Sequence, residues 1–244
     1  TLFAKVPTPV PAAKVYSDTN YGNHVIFIAQ NGDLYGQGWN ESYSGGGPLG
    51  LGPGVSYVDD FTKLPGVSSV GFVFCYSAQT AAITSNGDLY VTGGNSWPVS
   101  GAIGLGATPW VDVFTPVSLG GYKARWGRIA REGTVVVTED GSVFLSGMGG
   151  TTFQRIPGIT GAKQVVFGEE SSVVVLFEDG SVWAVSLDGE KTSEYAPGLN
   201  IAGIDGDARD GMIMLDSSGD LWEYDRWEGL RKTQFMPVGE DSCR

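Results

Sequence analysis

Residues able to do chemistry are sparse in this chain and gather in a few short stretches. The one histidine, His24, stands at the start of an apolar run. As a general base it would need a Ser or Cys nucleophile on a sharp strand-to-helix turn, and no such elbow is present, so the alternative is a satisfied structural residue. Carboxylates gather at Glu169-Glu170 and again in Asp205-Gly-Asp207-Ala-Arg209-Asp210. Glu169 or Glu170 with Asp207 or Asp210 would supply the two acids of a glycoside hydrolase, which must face each other at a defined separation. The second stretch has some likeness to a calcium loop, but it lacks the alternating oxygen ligands and closing Glu, and Arg209 intrudes. No catalytic motif survives, and neither a metal nor a cofactor is expected. Two cysteines, Cys75 and Cys243, fit no zinc spacing. Cys75 reads either as a buried thiol in an apolar strand or as one half of a bridge that tethers the C-terminal tail. Asn40-Glu41-Ser42 is a glycosylation sequon in a Gly/Ser-rich loop.

Aromatic residues are the better lead, with seven Trp and ten Tyr. Trp183 and Trp222 fall at the same place in a repeated pattern as Tyr35, Tyr90 and Phe144, which predicts core between sheets. Trp39, Trp97, Trp110, Trp126 and Trp227 do not share that place. Trp39 and Trp97 stand beside two long Gly/Ser loops, near Tyr43 and Pro98. There they either offer flat apolar faces to sugar rings or partner side chains, or fold back over the loop.

The elements that must position these groups repeat along the chain. Five segments share an apolar run, an Asn/Asp/Ser-Gly turn and a second apolar run: HVIFIAQ-NGD-LYGQG, TAAITS-NGD-LYVTG, TVVVTE-DGS-VFLSG, SVVVLFE-DGS-VWAVS and GMIMLDS-SGD-LWEYD. Their turn glycines are Gly32, Gly87, Gly141, Gly180 and Gly219, spaced by 55, 54, 39 and 39 residues. Asn-Gly and Asp-Gly between such runs predict a hairpin closed by a two-residue primed turn. The run before each turn is almost wholly apolar, which predicts a strand covered on both faces. Each hairpin has a forerunner (AAKVYSD, SSVGFVFC, KARWGRI, AKQVVFG, IAGIDGD) and a follower (DFTKLPG, VFTPVSLG, TFQRIPG, SEYAPG, TQFMPVG).

One unit is therefore four antiparallel strands, A to D, and five units in residues 1–244 predict a single all-β domain, a five-bladed β-propeller. The N-terminal TLFAKVP resembles a sixth D strand; pairing of the terminal strands would close the ring, although an extra edge strand or a dimer contact is equally open. Loops between A and B would gather at one mouth of such a ring. They bring together Tyr21, Asn23 and His24, then Gln79, Arg128 and Arg131, Glu169 and Glu170, and Asp207, Arg209 and Asp210. Convergent polar groups there make the default binding site, joined by Trp39 and Trp97, unless the same groups merely cap neighbouring loops.

The first two units carry more than a hairpin. LYGQGWN is followed by GPLGLG (47–52), and LYVTGGN by GAIGLG (101–106). This order resembles the repeat of the regulator of chromosome condensation family over residues 14 to 120, and units three to five keep only the hairpin. The resemblance implies a propeller with one four-stranded blade per repeat; family members typically have seven. It also implies two uses, nucleotide exchange on a small GTPase with chromatin binding, or inhibition of other proteins by secreted members through one face of the ring.

Composition narrows the choice. With 15 Lys and Arg against 27 Asp and Glu the net charge is −12, and no basic stripe exists to neutralise phosphates. Nucleic acid and anionic membranes are therefore not expected as partners. Apolar runs fall far short of the roughly 20 residues that span a bilayer. The sequence thus predicts a non-enzymatic binding module, lectin-like or protein-binding, monomeric or weakly dimeric. The sequon and the initial Thr favour secretion. The rivals are a glycan hydrolase and a GTPase exchange factor.

Overall fold

The computed structural model describes residues 6–17, 23–41, 45–96, 101–169, 171–208 and 211–233. These form five four-stranded antiparallel sheets, each a simple meander. The first sheet holds β1 (Ala12–Ser17), β2 (His24–Ala29), β3 (Leu34–Trp39) and β4 (Tyr57–Lys63). The second holds β5 (Val70–Tyr76), β6 (Gln79–Thr84), β7 (Leu89–Gly94) and β8 (Trp110–Val117). The third is β9 (Ala124–Ala130), β10 (Gly133–Thr138), β11 (Val143–Gly147) and β12 (Gly150–Arg155). The fourth is β13 (Ala162–Phe167), β14 (Ser172–Phe177), β15 (Val182–Ser186) and β16 (Lys191–Glu194). The fifth is β17 (Ile201–Asp207), β18 (Gly211–Asp216), β19 (Leu221–Asp225) and β20 (Gly229–Lys232). The chain divides into two compact units, residues 1–163 and 164–244.

All five hairpins stand where the glycines place them, but their turns are of another kind. Gly32 N–H donates to the Ala29 carbonyl at 2.9 Å, while Ala29 N–H donates to the Asp33 carbonyl at 2.8 Å. The loop is thus Gln30-Asn31-Gly32, three residues rather than two, and only Gly32 has positive φ, at 81°. That is a type I turn closed by a glycine bulge. The same bonds recur at Gly87, Gly141, Gly180 and Gly219. The residue before the glycine explains the choice: Asn31, Asp140 and Asp179 each accept, on a side-chain oxygen, the N–H of the residue after the glycine at 3.0–3.1 Å, an Asx turn that favours this loop. Hydrogen bonds from Thr138 and Ser142 hold the Asp140 carboxyl below the usual carboxylate range.

Each turn also grips the next sheet. In the first unit the carbonyls of Gly32, Gly87 and Gly141 accept the N–H of Val70, Ala124 and Ala162 at 2.9, 2.8 and 3.0 Å. In the second, Gly180 accepts from Ile201 at 2.9 Å. The approach is so close that a Cβ on Gly141 would lie 2.4 Å from the Gly161 nitrogen, and one on Gly87 2.6 Å from Lys123 Cβ. Glycine is required there by contact as well as by conformation.

The run before each turn is buried on both faces in β6, β10 and β14. Strand β18 differs: Met212 and Met214 are buried while Ile213 and Leu215 are exposed, so it has one wet face. Core clusters of the first unit include two among the described residues. One gathers Ile26, Ile28, Leu34, Leu49, Val73 and Phe114, the other Phe74, Val91, Ile103, Val136 and Phe153. The second unit has its own, around Val174, Leu176, Met212 and Met214.

Two sequence expectations need correction. The fourth strand of the fifth sheet is Gly229–Lys232 and not TQFMPVG, because Asp225 accepts the N–H groups of Trp227 and Glu228 at 2.7 and 3.2 Å and turns the chain straight back on β19. Residues 234–244, with most of TQFMPVG and Cys243, lie outside the described residues, as do residues 1–5 of TLFAKVP. Trp183 and Trp222 are both half-buried: Trp222 packs on the second unit's core, while Trp183 lies beneath the Lys191 ammonium at 5.2 Å.

Gly141→Ala and Gly219→Ala separate the two demands on the turn glycines. Both positions have positive φ, at 75° and 88°, which costs an L-residue roughly 1–2 kcal/mol, but only Gly141 has atoms within 4 Å of the missing Cβ. Urea unfolding followed by circular dichroism is expected to show Gly219→Ala losing roughly that amount and Gly141→Ala at least twice it.

Candidate functional site

A four-stranded meander puts its A–B and C–D loops at one end and its B–C turn at the other. In the first unit the loop end is built by glycines and asparagines of the C strands. Gly38 and Gly93 take φ of 109° and 103°, and a Cβ on either would lie 2.2 or 2.0 Å from the carbonyl oxygen of Asn23 or Ala78. The residues that follow donate to those same carbonyls, Trp39 N–H to Asn23 at 3.3 Å and Gly94 N–H to Ala78 at 3.1 Å. The A–B loops are thereby fixed to the C strands.

The long C–D loops are fixed by Asn40 and Asn95. Asn40 Oδ1 accepts Leu49 N–H at 2.9 Å, and its Nδ2 donates to the Val55 carbonyl at 2.7 Å. Asn95 Oδ1 accepts Ile103 N–H at 3.0 Å, and its Nδ2 donates to the carbonyls of Gly106 and Thr108. Leu49 and Ile103, the central residues of the two G-x-L/I-G loops, are fully buried. Each loop also accepts hydroxyl bonds from the next sheet, Gly47 from Thr92 at 2.7 Å and Ala102 from Thr134 at 2.6 Å. The loops are wedges between sheets.

Asn40 is therefore not a glycan acceptor. Its side chain is 3% exposed and its amide is engaged at both ends, so the sequon is corrected to a structural staple. His24 is also structural: it is 1% exposed, with Nε2 3.3 Å from Thr80 Oγ1 of the next sheet. Gln79 is buried and donates to the Gly94 carbonyl at 2.8 Å. Asn23 and Arg131 are exposed at the same end, and Arg128 is half-buried in β9. Cys75 is half-buried in β5. Tyr21 and Trp97 lie outside the described residues.

In the second unit, Glu170, Arg209 and Asp210 lie outside the described residues. Glu169 faces Arg226, Oε1 to Nε at 3.9 Å. Asp205 and Asp207 belong to strand β17 rather than to a loop, and the described residues hold no cluster of metal-ligating side chains. Tyr195 packs edge-on against Tyr224 at 4.6 Å. Burial, with smaller contributions from Tyr224 and the charges of Glu169 and Asp207, pushes its hydroxyl up to about 12.

Three large aromatic side chains are open to solvent at the loop end of the first unit. Trp39, Tyr57 and Trp110 are 48%, 47% and 45% exposed. Trp39 and Tyr57 are cross-strand partners with rings edge-to-face at 5.5 Å. Trp110 holds the position of Tyr57 in the second sheet, opposite Gly94. Trp39 was legible beside its loop; Tyr57 was missed. Its signal is an aligned pair in the chain, Tyr57-Val-Asp-Asp-Phe61 and Trp110-Val-Asp-Val-Phe114.

No family model matches the chain. A 137-residue stretch, 49% of the chain, is 32% identical to the X-linked retinitis pigmentosa GTPase regulator of Canis lupus familiaris and spans 13% of that protein. Prp20p of Saccharomyces cerevisiae, a structure described with its binding to Gsp1p and histones, is similar at a TM-score of 0.65 and 17% identity over 88% of this chain and 58% of that one. The same yeast protein bound by Kap60 gives 0.65 and 16% over 88% and 57%. Human WBSCR16 gives 0.62 and 16% over 84% and 58%. These structures share the fold, and this chain spans well under two thirds of each.

Removing either asparagine is expected to loosen its loop. Asn40→Ala and Asn95→Ala should each cost about 2–4 kcal/mol, since each leaves buried peptide groups unpaired, and limited proteolysis should then cut within residues 41–56 or 96–109. The tyrosine gives a pH test. The unfolded chain ionises its tyrosines near pH 10 and Tyr195 holds its proton to about 12, so this group's contribution to stability is full below pH 10 and lost between the two. Tyr195→Phe should flatten that alkaline decline in a denaturation series.

Proposed function

Because the chain belongs to the family built from repeats like those of the regulator of chromosome condensation, we propose that it is a non-enzymatic protein-binding module. Its docking face is the loop end of the first unit. The observation that carries this reading is the exposed set Trp39, Tyr57 and Trp110 on a backbone held by buried Asn40 and Asn95. Trp and Tyr anchors on a preformed surface bind with little loss of conformational freedom. The same proposal includes closure of the five sheets into one propeller. Relatives' names support a protein ligand, since Prp20p is described as binding Gsp1p and histones. Secretion loses its main argument with Asn40 buried, and carbohydrate is the lesser ligand reading.

A second reading is exchange on a small GTPase, favoured by the similarity to a GTPase regulator and to Prp20p. Selection of displayed 12-residue peptides on the immobilised chain, beside a glycan array, tests the main proposal. Enriched peptides should lose at least tenfold in affinity on Trp39→Ala; enrichment that ignores Trp39, Tyr57 and Trp110, or binding of glycans alone, would sink it. Release of labelled GDP from Gsp1p should not be accelerated; acceleration would establish the exchange reading instead.

A further inference from the structure

Positive charge is distributed very unevenly along this chain. From residue 15 to residue 122 there is one Lys, Lys63, and no Arg, against seven acids: Asp18, Asp33, Glu41, Asp59, Asp60, Asp88 and Asp112. The cations in and bordering this stretch are engaged. Lys14 donates to the Gly71 carbonyl at 2.9 Å, Lys63 pairs with Asp33 at 2.6 Å and Lys123 with Asp88 at 2.6 Å. Asp33 and Asp88 follow the turn glycines, so both ion pairs sit at the turn end. The loop end of the first two sheets keeps Glu41, Asp59, Asp60 and Asp112, and among the described residues no cation pairs with them.

Glu41, Asp59 and Asp112 share their end of the strands with the three aromatic rings, and Asp60 follows at the middle of β4. Asp59 and Asp112 stand two residues after Tyr57 and Trp110, where β4 and β8 each bulge against their neighbours. A bulge on an edge strand re-aims its side chains; Asp59, Asp60 and Val113 are exposed. Beside Trp110 lie two residues without side chains. Gly45 and Gly46 lie against Trp110 so closely that a Cβ on either would come within 2.7–2.9 Å of it.

We propose that this face takes an arginine-bearing extended segment of a partner protein, its guanidinium groups stacked on Trp39, Tyr57 and Trp110 and paired with Asp59, Asp60, Asp112 and Glu41. The inference rests on the protein-binding reading above and names its partner class. Charge complementarity selects the occupant: an acidic or neutral segment would leave four carboxylates uncompensated beside the rings. Arginine fits better than lysine because its planar cation stacks on an aromatic face while donating sideways to carboxylates.

The test uses fluorescein-labelled peptides of four Gly-Arg, Gly-Lys or Gly-Gln repeats, titrated with the intact chain at about 0.15 M salt, where free charges are screened beyond about 8 Å. The Gly-Arg peptide should bind at least tenfold more tightly than Gly-Gln and more tightly than Gly-Lys. Trp39→Ala and the pair Asp59→Asn with Asp60→Asn should each weaken it about tenfold, the pair also flattening the salt dependence. Trp227→Ala, in the second unit, should change nothing. Circular dichroism confirms that each variant folds, and Trp39, which is 48% exposed, keeps the test valid if Trp110→Ala does not. Gly-Arg binding unchanged by Trp39→Ala, or no binding at millimolar peptide, overturns the inference. Equal binding of Gly-Gln that still needs Trp39 overturns the cationic partner and leaves the docking face standing. Peptide binding that never depends on Trp39 removes both.

Discussion

The fold depends on one backbone hydrogen bond made repeatedly, from the first N–H of a sheet to the carbonyl of the preceding turn glycine. In the first unit it joins Val70 to Gly32, Ala124 to Gly87 and Ala162 to Gly141, and in the second Ile201 to Gly180. The bond requires the turn to approach within van der Waals contact, which excludes a side chain at the glycine. It also explains the local chemistry around it. An Asn or Asp before the glycine fixes the type I geometry through its own side chain, and that geometry points the glycine carbonyl outward at the next sheet. Apolar burial then follows from stacking, since β6, β10 and β14 lose solvent on both faces.

Function in the proposed sense depends on the opposite end. There the backbone is held by side chains instead: Asn40 and Asn95 each satisfy peptide groups on both flanks of a wedge loop, and buried hydroxyls of Thr92 and Thr134 hold the wedge from the neighbouring sheet. A rigid rim results, and it leaves large aromatic side chains at its margin without collapsing onto them. Sheets three to five lack the wedge loops, and no comparable set of cross-strand exposed rings occurs among their described residues, apart from the isolated, 83% exposed Trp227.

Much of this was legible in the residues. Five glycines at regular places fixed the hairpins; the forerunner runs located the A strands, while the D strands begin two or three residues before the follower runs, and the last lies elsewhere. Turn type was not legible, because Asn-Gly serves both a two-residue and a three-residue loop, and the choice turns on where Asp33 pairs. Asn40 was misread because a sequon is a three-residue pattern, blind to burial. Its counterpart Asn95 is followed by Ser96-Trp97 and is no sequon, so a shared role had to be structural. His24 and Gln79 drew attention as polar groups near loops, yet each is the first residue of a strand that is buried on nearly every side chain. The aromatic positions were half visible: Trp39 by its loop, Tyr57 and Trp110 only once β4 and β8 could be superimposed.

Since one bond at each of these junctions is made by main-chain atoms alone, that bond does not depend on which side chains a given repeat carries, apart from its glycine. Repeats 55 and 39 residues apart, with and without a wedge loop, therefore keep the same bond. Within each unit the coupling is the shared part of the repeat, and the rim loop is the part that varies.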